Sequence, residues 1–357
     1  MLWDLKGIKI FLDISTYCNA GCPQCHRTNP EGLGKADWLP LIQWDLKTFQ
    51  KAFPPQELEN IDRLHFCGTW GDPVMCKELD QILKYVVDNS SETKMSISTN
   101  GSIRDENWWW DIGVTCGNRL HVVFAVDGST QEMHEQYRRF TNLEKVLENM
   151  NMLSQTQAIV HSQTVVFKHN ENHLDEIKEL VKKNGSTTHT HVLSDRFGWG
   201  YPGDLNTFTF TNEKNKPDQL ERSSPDALKG DAMLYGDKID MSEEISCRWA
   251  KPRNEVLVNP DGQLLPCCYH GNNHYEKRID KTKETDMFKH TLYADDYNQN
   301  LKKYNVLHTP LSEILSSEWY QKKLPESMTS DNPIKQCLRQ CTTRTKKIWQ
   351  TREKRDI

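Results

Sequence analysis

The chain has 357 residues, 45 basic and 50 acidic, for a formal charge of −5, which excludes a nucleic-acid or membrane-surface binder built on bulk positive charge. Its length exceeds one ordinary core and suits two domains at roughly 150 residues each. No run approaches the roughly 18 apolar residues that span a bilayer, and the N-terminal MLWDLKGIKIFLDIS is interrupted by Asp4, Lys6, Lys9 and Asp13, so it lacks a signal-peptide core. A cytoplasmic, reducing setting is expected, in which the eleven cysteines point to metal or catalysis before disulfides.

From about residue 8 to 194, β-rich runs alternate with helical patterns. The runs are IKIFLDIS, IDRLHFC, KMSIST, RLHVVFAV, IVHSQTVVF and HTHVLS. The intervening helices are KELDQILKYVVDN, ENWWWDIG, a single long pattern STQEMHEQYRRFTNLEKVLENMNMLSQ, and NHLDEIKELVKKNG, stopped by Gly185. Six strands alternating with helices predict a parallel α/β sheet, open or partly closed into a TIM-like barrel, with its chemistry at the carboxyl ends of the strands. Residues 198–245 are rich in Gly, Pro, Asn, Asp and Ser and read as a linker or long connection. Beyond it, two β-rich runs flank Asn259-Pro260-Asp261-Gly262 as a hairpin. A hydrophilic stretch at roughly 270–305, a helical LSEILSSEWYQKKL and the pair Cys337 and Cys341 follow.

The loop after the first strand reads TYCNAGCPQCHRT, placing Cys18, Cys22 and Cys25 at C-x3-C-x2-C spacing. Its C-x-x-C-H end matches covalent haem attachment, but that use goes with export and leaves Cys18 without a role. Three thiolates leave one corner of a four-ligand set unfilled. On an iron–sulfur cube, normally held by four cysteines, the open iron could bind a substrate or cofactor. A structural metal or buried thiols is the alternative.

This pattern resembles the radical S-adenosylmethionine enzymes, whose three cysteines hold a [4Fe–4S] cluster that chelates S-adenosylmethionine. The resemblance implies reductive cleavage to a 5′-deoxyadenosyl radical and a one-electron donor such as flavodoxin or ferredoxin. Further strings fall in the order the family has them. GTWGDP places Trp70, Gly71, Asp72 and Pro73 at the methionine-binding motif, with the first glycine and the acid substituted. STNG places Ser98, Thr99 and Asn100 at the ribose-contacting strand end. FAVDG, with Asp127, His134 and Arg138 as candidate catalytic residues, resembles the fourth strand and following helix of peptide-modifying members. Ala125 replaces a common serine there, and Gln24 stands where the family has an aromatic residue.

Near the C-terminus, Cys247-x14-Gly262-x4-Cys267 and Cys337-x3-Cys341 resemble the SPASM or shorter Twitch extension, which carries auxiliary clusters. That implies one auxiliary [4Fe–4S] cluster on Cys247, Cys267, Cys337 and Cys341, with Cys268 an alternative ligand and structural zinc the rival metal. Closing the interval from Cys267 to Cys337 costs about 4 kcal/mol plus a constant, below the ~10–16 kcal/mol a tetrahedral thiolate site supplies. Cys67, Cys76 and Cys116 read as buried thiols.

Three neighbouring residues on a helix face different ways, so at least one of Trp108, Trp109 and Trp110 belongs to the core. A solvent-facing helix also accounts for His134, Arg138 and Arg139, and the basic TTRTKKIWQTREKR reads as a solvated tail. The expected division is 1–197 for the radical core, 198–245 for the connection and 246–357 for the auxiliary-cluster domain. The expected substrate is a peptide or protein side chain. With the cluster loop at residue 18, a leader peptide would need a separate binding protein. An aminated sugar or nucleoside dehydrogenase or epimerase, and a non-catalytic iron–sulfur or zinc protein, are the alternatives. No membrane or nucleic-acid partner is expected.

Overall fold

A computed structural model describes residues 2–194, 196–198, 201–224, 227, 243–280, 282 and 291–342. The basic stretch from 343 onward, and 228–242 of the connection, lie outside the described residues. The predicted strands form β1 (Ile8–Leu12), β2 (Ile61–Phe66), β3 (Lys94–Thr99), β4 (Leu120–Ala125), β5 (Ile159–Val166) and β6 (Thr188–Leu193). They lie side by side in chain order and all parallel. The helices between them are α1 (Leu46–Ala52), α2 (Pro55–Leu58), α3 (Leu79–Asn89), α4 (Glu106–Cys116), α5 (Gln131–His134), α6 (Leu143–Ser154) and α7 (Leu174–Lys183).

Alternation along the strands decides which face the helices cover. Ile8, Ile10 and Leu12 of β1, and Leu120, Val122 and Phe124 of β4, are fully buried, whereas their neighbours Lys9, Phe11, His121 and Val123 are half-buried. Helix α3 meets the buried face with Leu79, Ile82, Leu83 and Val86, one stripe at i, i+3, i+4 and i+7. Helices α4 and α6 start where Asp105 and Asn142 accept the backbone N–H of Trp108 and Lys145. Among the tryptophans, Trp109 is buried while Trp110 is exposed, and Cys67, Cys76 and Cys116 are buried.

The pattern predicted as one long helix over 129–155 is broken in two. Phe140 takes φ +65°, a left-handed conformation, and Asn142 starts α6 anew. The break turns the chain back over the cysteine loop, where Gly21 N–H donates to Arg139 O (3.1 Å) and a Cβ on Gly21 would come within 2.5 Å of the Phe140 ring. Helix periodicity ignores such a contact between distant segments.

The predicted connection at 198–245 holds a hairpin, β7 (Thr207–Thr211) and β8 (Pro217–Glu221), whose Phe208, Phe210 and Leu220 pack with Ala20, Cys22 and Tyr137. The short alternating run TFTFT carries its signal amid turn-forming residues. Past it, β9 (Glu255–Val258) lies parallel to β1, and β10 (Leu264–Leu265) pairs antiparallel to β9 across the predicted turn. One eight-stranded sheet, ordered β10-β9-β1-β2-β3-β4-β5-β6, therefore runs through both halves of the chain. The hydrophilic stretch contains α8 (Cys268–Ile279) and α9 (Thr291–Gln299), and α10 (Leu311–Ser316), α11 (Leu324–Thr329) and α12 (Lys335–Gln340) follow. Among the described residues no helix is long and apolar enough to cross a membrane.

Candidate functional site

The ends of β1, β2, β3 and β4 converge on a cavity of about 200 Å³. Cys18, Cys22, Cys25, Gly71, Asp72, Ser98, Thr99, Asn100 and Arg138 line it. The sequence thus supplied most of the wall. Parallel strands put their carboxyl ends at one level, so loops far apart in sequence meet there.

Gly71 carries the cradle. A Cβ on it would lie 2.4 Å from Ser15 O and 2.6 Å from Tyr17 O, so only glycine lets this loop abut the backbone leading into Cys18. Asp72 N–H then donates to Tyr17 O at 2.7 Å. The Asp72 carboxylate accepts from Val74 N–H (3.0 Å), Thr99 Oγ1 (3.0 Å), Asn100 N–H (2.8 Å) and Asn100 Nδ2 (2.7 Å). Burial pushes the carboxyl up while these donors pull it back. Its task in the fold is to lock the ends of β2 and β3 together. Asn100 Nδ2 also reaches Asn19 Oδ1 at 2.9 Å and Cys18 Sγ at 3.8 Å.

Two residues of the GTWGDP string face elsewhere. Trp70 is fully buried beside Leu39 and Tyr275, its ring 5.3 Å from that of Tyr275 on α8. Pro73 opens the tight turn that Asp72 caps.

Arg138 borders the cavity with Nη1 3.9 Å from Cys22 Sγ. Its Nε binds Asp127 Oδ2 at 2.5 Å, and Asp127 Oδ1 accepts Val165 N–H at 2.6 Å. Asp127 is itself wholly enclosed. His134 is buried too, and both ring nitrogens are engaged, Nδ1 with Asp127 N–H (3.2 Å) and Nε2 with Thr141 Oγ1 (3.0 Å). Burial, then the charge of Arg138, pushes its imidazole down to about 3. The solvent-facing helix that was the alternative for His134, Arg138 and Arg139 is not found, because this segment is one helical turn and a loop folded onto the cysteine loop. Arg139 pairs with Asp218 of β8 at 2.8 Å.

At the position of the missing aromatic residue, Gln24 is 3% exposed; its Nε2 donates to Arg196 O (2.9 Å) and its Oε1 accepts from Ser194 Oγ (2.5 Å). Polar contacts from the end of β6 fill that space. Arg27 and Gln163 also line the cavity and were missed. Gln163 pairs in register with Ala125, so the alternation of β5 carried the signal.

The second cysteine set is also assembled. Cys247 hydrogen-bonds Cys341, Cys267 lies within electrostatic reach of Cys268, Cys247 and Cys337, and His270 Nε2 stands 3.3 Å from Cys337 Sγ. Burial pushes the Cys22 thiol up to about 11 and raises Cys18, Cys267 and Cys337 as well. Buried thiols crowded together ionise only against a positive centre, which is how metal sites work. Among the described residues no three His, Cys, Asp or Glu side chains stand close enough to share one metal ion; Cys18, Cys22 and Cys25 border the cavity, and the irons of a cluster take their thiolates one apiece.

Residues 247–342 match the SPASM family, an iron–sulfur cluster-binding domain. The chain matches the solved structure of anSMEcpe with bound AdoMet at 13% identity, covering 90% of this chain and 84% of that one, TM-score 0.54. The chain has the fold of the radical S-adenosylmethionine enzymes that carry a SPASM domain. The anSMEcpe structure with AdoMet and the Cp18Cys peptide matches at 12% identity over 98% and 96%, TM-score 0.55. SuiB of Streptococcus suis matches at 11% over 90% and 67%, TM-score 0.55. No curated protein sequence matches the chain.

Proposed function

We propose that this chain is a radical S-adenosylmethionine enzyme acting on a peptide or protein side chain. The observation that carries the reading is the single cavity shared by Cys18, Cys22 and Cys25 with Gly71, Asp72, Ser98, Thr99, Asn100 and Arg138. When bound there and reduced by a donor of the flavodoxin or ferredoxin class, a [4Fe–4S] cluster with S-adenosylmethionine supplies a 5′-deoxyadenosyl radical for hydrogen abstraction. The three thiols hold the cluster. The loop at Gly71 and the hydroxyl and amide groups of Ser98, Thr99 and Asn100 orient the cofactor. Arg138, braced by Asp127 and behind it His134, presents a cation beside Cys22, which favours the thiolate. The hairpin β7–β8 and Tyr137 pack against Cys22 and help exclude water. Cys247, Cys267, Cys337 and Cys341 hold one auxiliary cluster in residues 246–357, with Cys268 the alternative ligand, and residues 1–197 form the radical core.

The peptide reading draws support from anSMEcpe, solved with the Cp18Cys peptide, and SuiB, solved with the precursor peptide SuiA. Anaerobically reconstituted protein should cleave S-adenosylmethionine to 5′-deoxyadenosine and methionine under reduction. Retention of that activity in Cys25→Ala overturns the assignment. Deuterium passing from a labelled peptide into 5′-deoxyadenosine supports the substrate class, and passage only from a sugar or nucleoside replaces it with the small-molecule alternative.

A further inference from the structure

The interior of a parallel barrel is ordinarily packed with Val, Ile and Leu. Here it is not. Ser98, Val123, Ala125 and Gln163 line the cysteine cavity, so Lys94, His121 and His161, even numbers of residues back along the same strands, share that concave face. Arg63 pairs in register with Lys94 and joins them. The histidines form a row: His121 Nδ1 lies 3.4 Å from His161 Nε2, and His161 Nδ1 lies 2.5 Å from Thr188 Oγ1. Burial, and to a lesser degree the charge of Arg63, pushes His65, His121 and His161 down, so the guanidinium lies within electrostatic reach of all three. Among the described residues its Nε is buried without an acceptor. Glu255, the acid that feels this charge, already pairs with Arg253 at 3.8 Å.

A partly desolvated guanidinium with no ion pair among the described residues is costly, and an oxyanion relieves the cost through paired N–H donors. Lys94, level with Arg63, adds a second cation. The row from Arg63 and Lys94 up to Ser98 spans four residues, about 13 Å at ~3.3 Å per residue, which is the reach of about four residues of extended peptide.

We propose that the concave face at Arg63, His121 and His161 binds a carboxylate of the peptide substrate, about four residues from the residue that reacts. This rests on the peptide reading of the cysteine cavity. The site reads charge, and the cavity above it does the chemistry.

The test uses the full, cluster-loaded chain and fluorescein-labelled hexaglutamate, with hexaglutamine as the neutral control, followed by fluorescence anisotropy without reductant. Hexaglutamate should bind and hexaglutamine should not. Arg63→Gln should weaken binding by roughly tenfold or more, the loss of one charge-assisted contact, while Lys47→Gln, the same charge change on a remote exposed helix, leaves it unchanged. Equal losses in the two variants, or equal binding of the two peptides, overturn the proposal. Inorganic phosphate displacing hexaglutamate more effectively than glutarate at matched ionic strength assigns the site to a phosphoryl group and overturns the carboxylate. If circular dichroism shows that Arg63→Gln misfolds, Lys94→Gln replaces it, with a loss of roughly threefold expected for one exposed charge beside the site and no loss counting against the site. Binding is read without turnover, so failed S-adenosylmethionine cleavage defeats the enzyme reading alone. Lost peptide binding with cleavage intact defeats the anion site alone.

Discussion

Replacing Gly71 by alanine tests whether the loop after β2 is held against the cysteine loop by backbone contact. The new Cβ would lie 2.4 Å from Ser15 O, 2.6 Å from Tyr17 O and 2.7 Å from Thr16 C. None of these atoms can rotate away as a side chain would, so one of the two loops must shift. Overpacking costs typically 1–3 kcal/mol, and three backbone clashes put Gly71→Ala near the upper end, about 3 kcal/mol. With an unfolding entropy near 2.1 cal/mol/K per residue, a chain of this length loses about 4 °C of Tm. The shift also strains the 2.7 Å bond from Asp72 N–H to Tyr17 O, next to Cys18. Iron bound by the reconstituted variant should therefore fall from about eight to about four per chain, the auxiliary set alone being filled. Calorimetry and iron analysis read the two effects. Gly34, whose added Cβ would meet nothing within 4 Å, is the control, and Gly34→Ala should be close to neutral. A Gly71→Ala protein with unchanged Tm and full iron would refute the reasoning.

Three further outcomes are expected. Asp127→Asn keeps an acceptor for Val165 N–H but strips Arg138 of its counter-charge, so urea unfolding should show a loss of about 3 kcal/mol; a change under 1 kcal/mol, on the order of a surface pair, would mean the ion pair is not felt. Replacing Cys18, Cys22 and Cys25 together by alanine should leave about four irons with cluster absorption, and a single zinc in their place would show the second set to be structural. His134 is neutral in the folded chain, held at about 3, while the unfolded chain takes up its proton below about 6.5. Stability on its account falls as pH drops from that value toward 3, by about 2 kcal/mol between pH 7 and 5. His134→Gln should be less stable at pH 7 yet lose that much less on acidification, and equal losses in the two proteins would remove His134 as the cause.

The six parallel strands, the helices α3, α4 and α7 and both cysteine sets were legible in the sequence because each rests on local information: alternation, an apolar stripe, a capping residue, a spacing. So was the order of the strand-end motifs, since β/α units return each strand end to the same level. What the sequence could not show depends on contacts between distant segments. Phe140 breaks a good helical pattern because it packs on Gly21. Trp70 sits in a cofactor-like string yet turns toward Tyr275, a partner reached only through folding. The hairpin at 207–221 is short and turn-rich, and it becomes visible once its phenylalanines have Cys22 and Tyr137 to cover. The register between strands turned Arg63, His121 and His161 to one concave face. Local pattern says which element a segment forms, and the free energy of burying one segment against another decides where each side chain points.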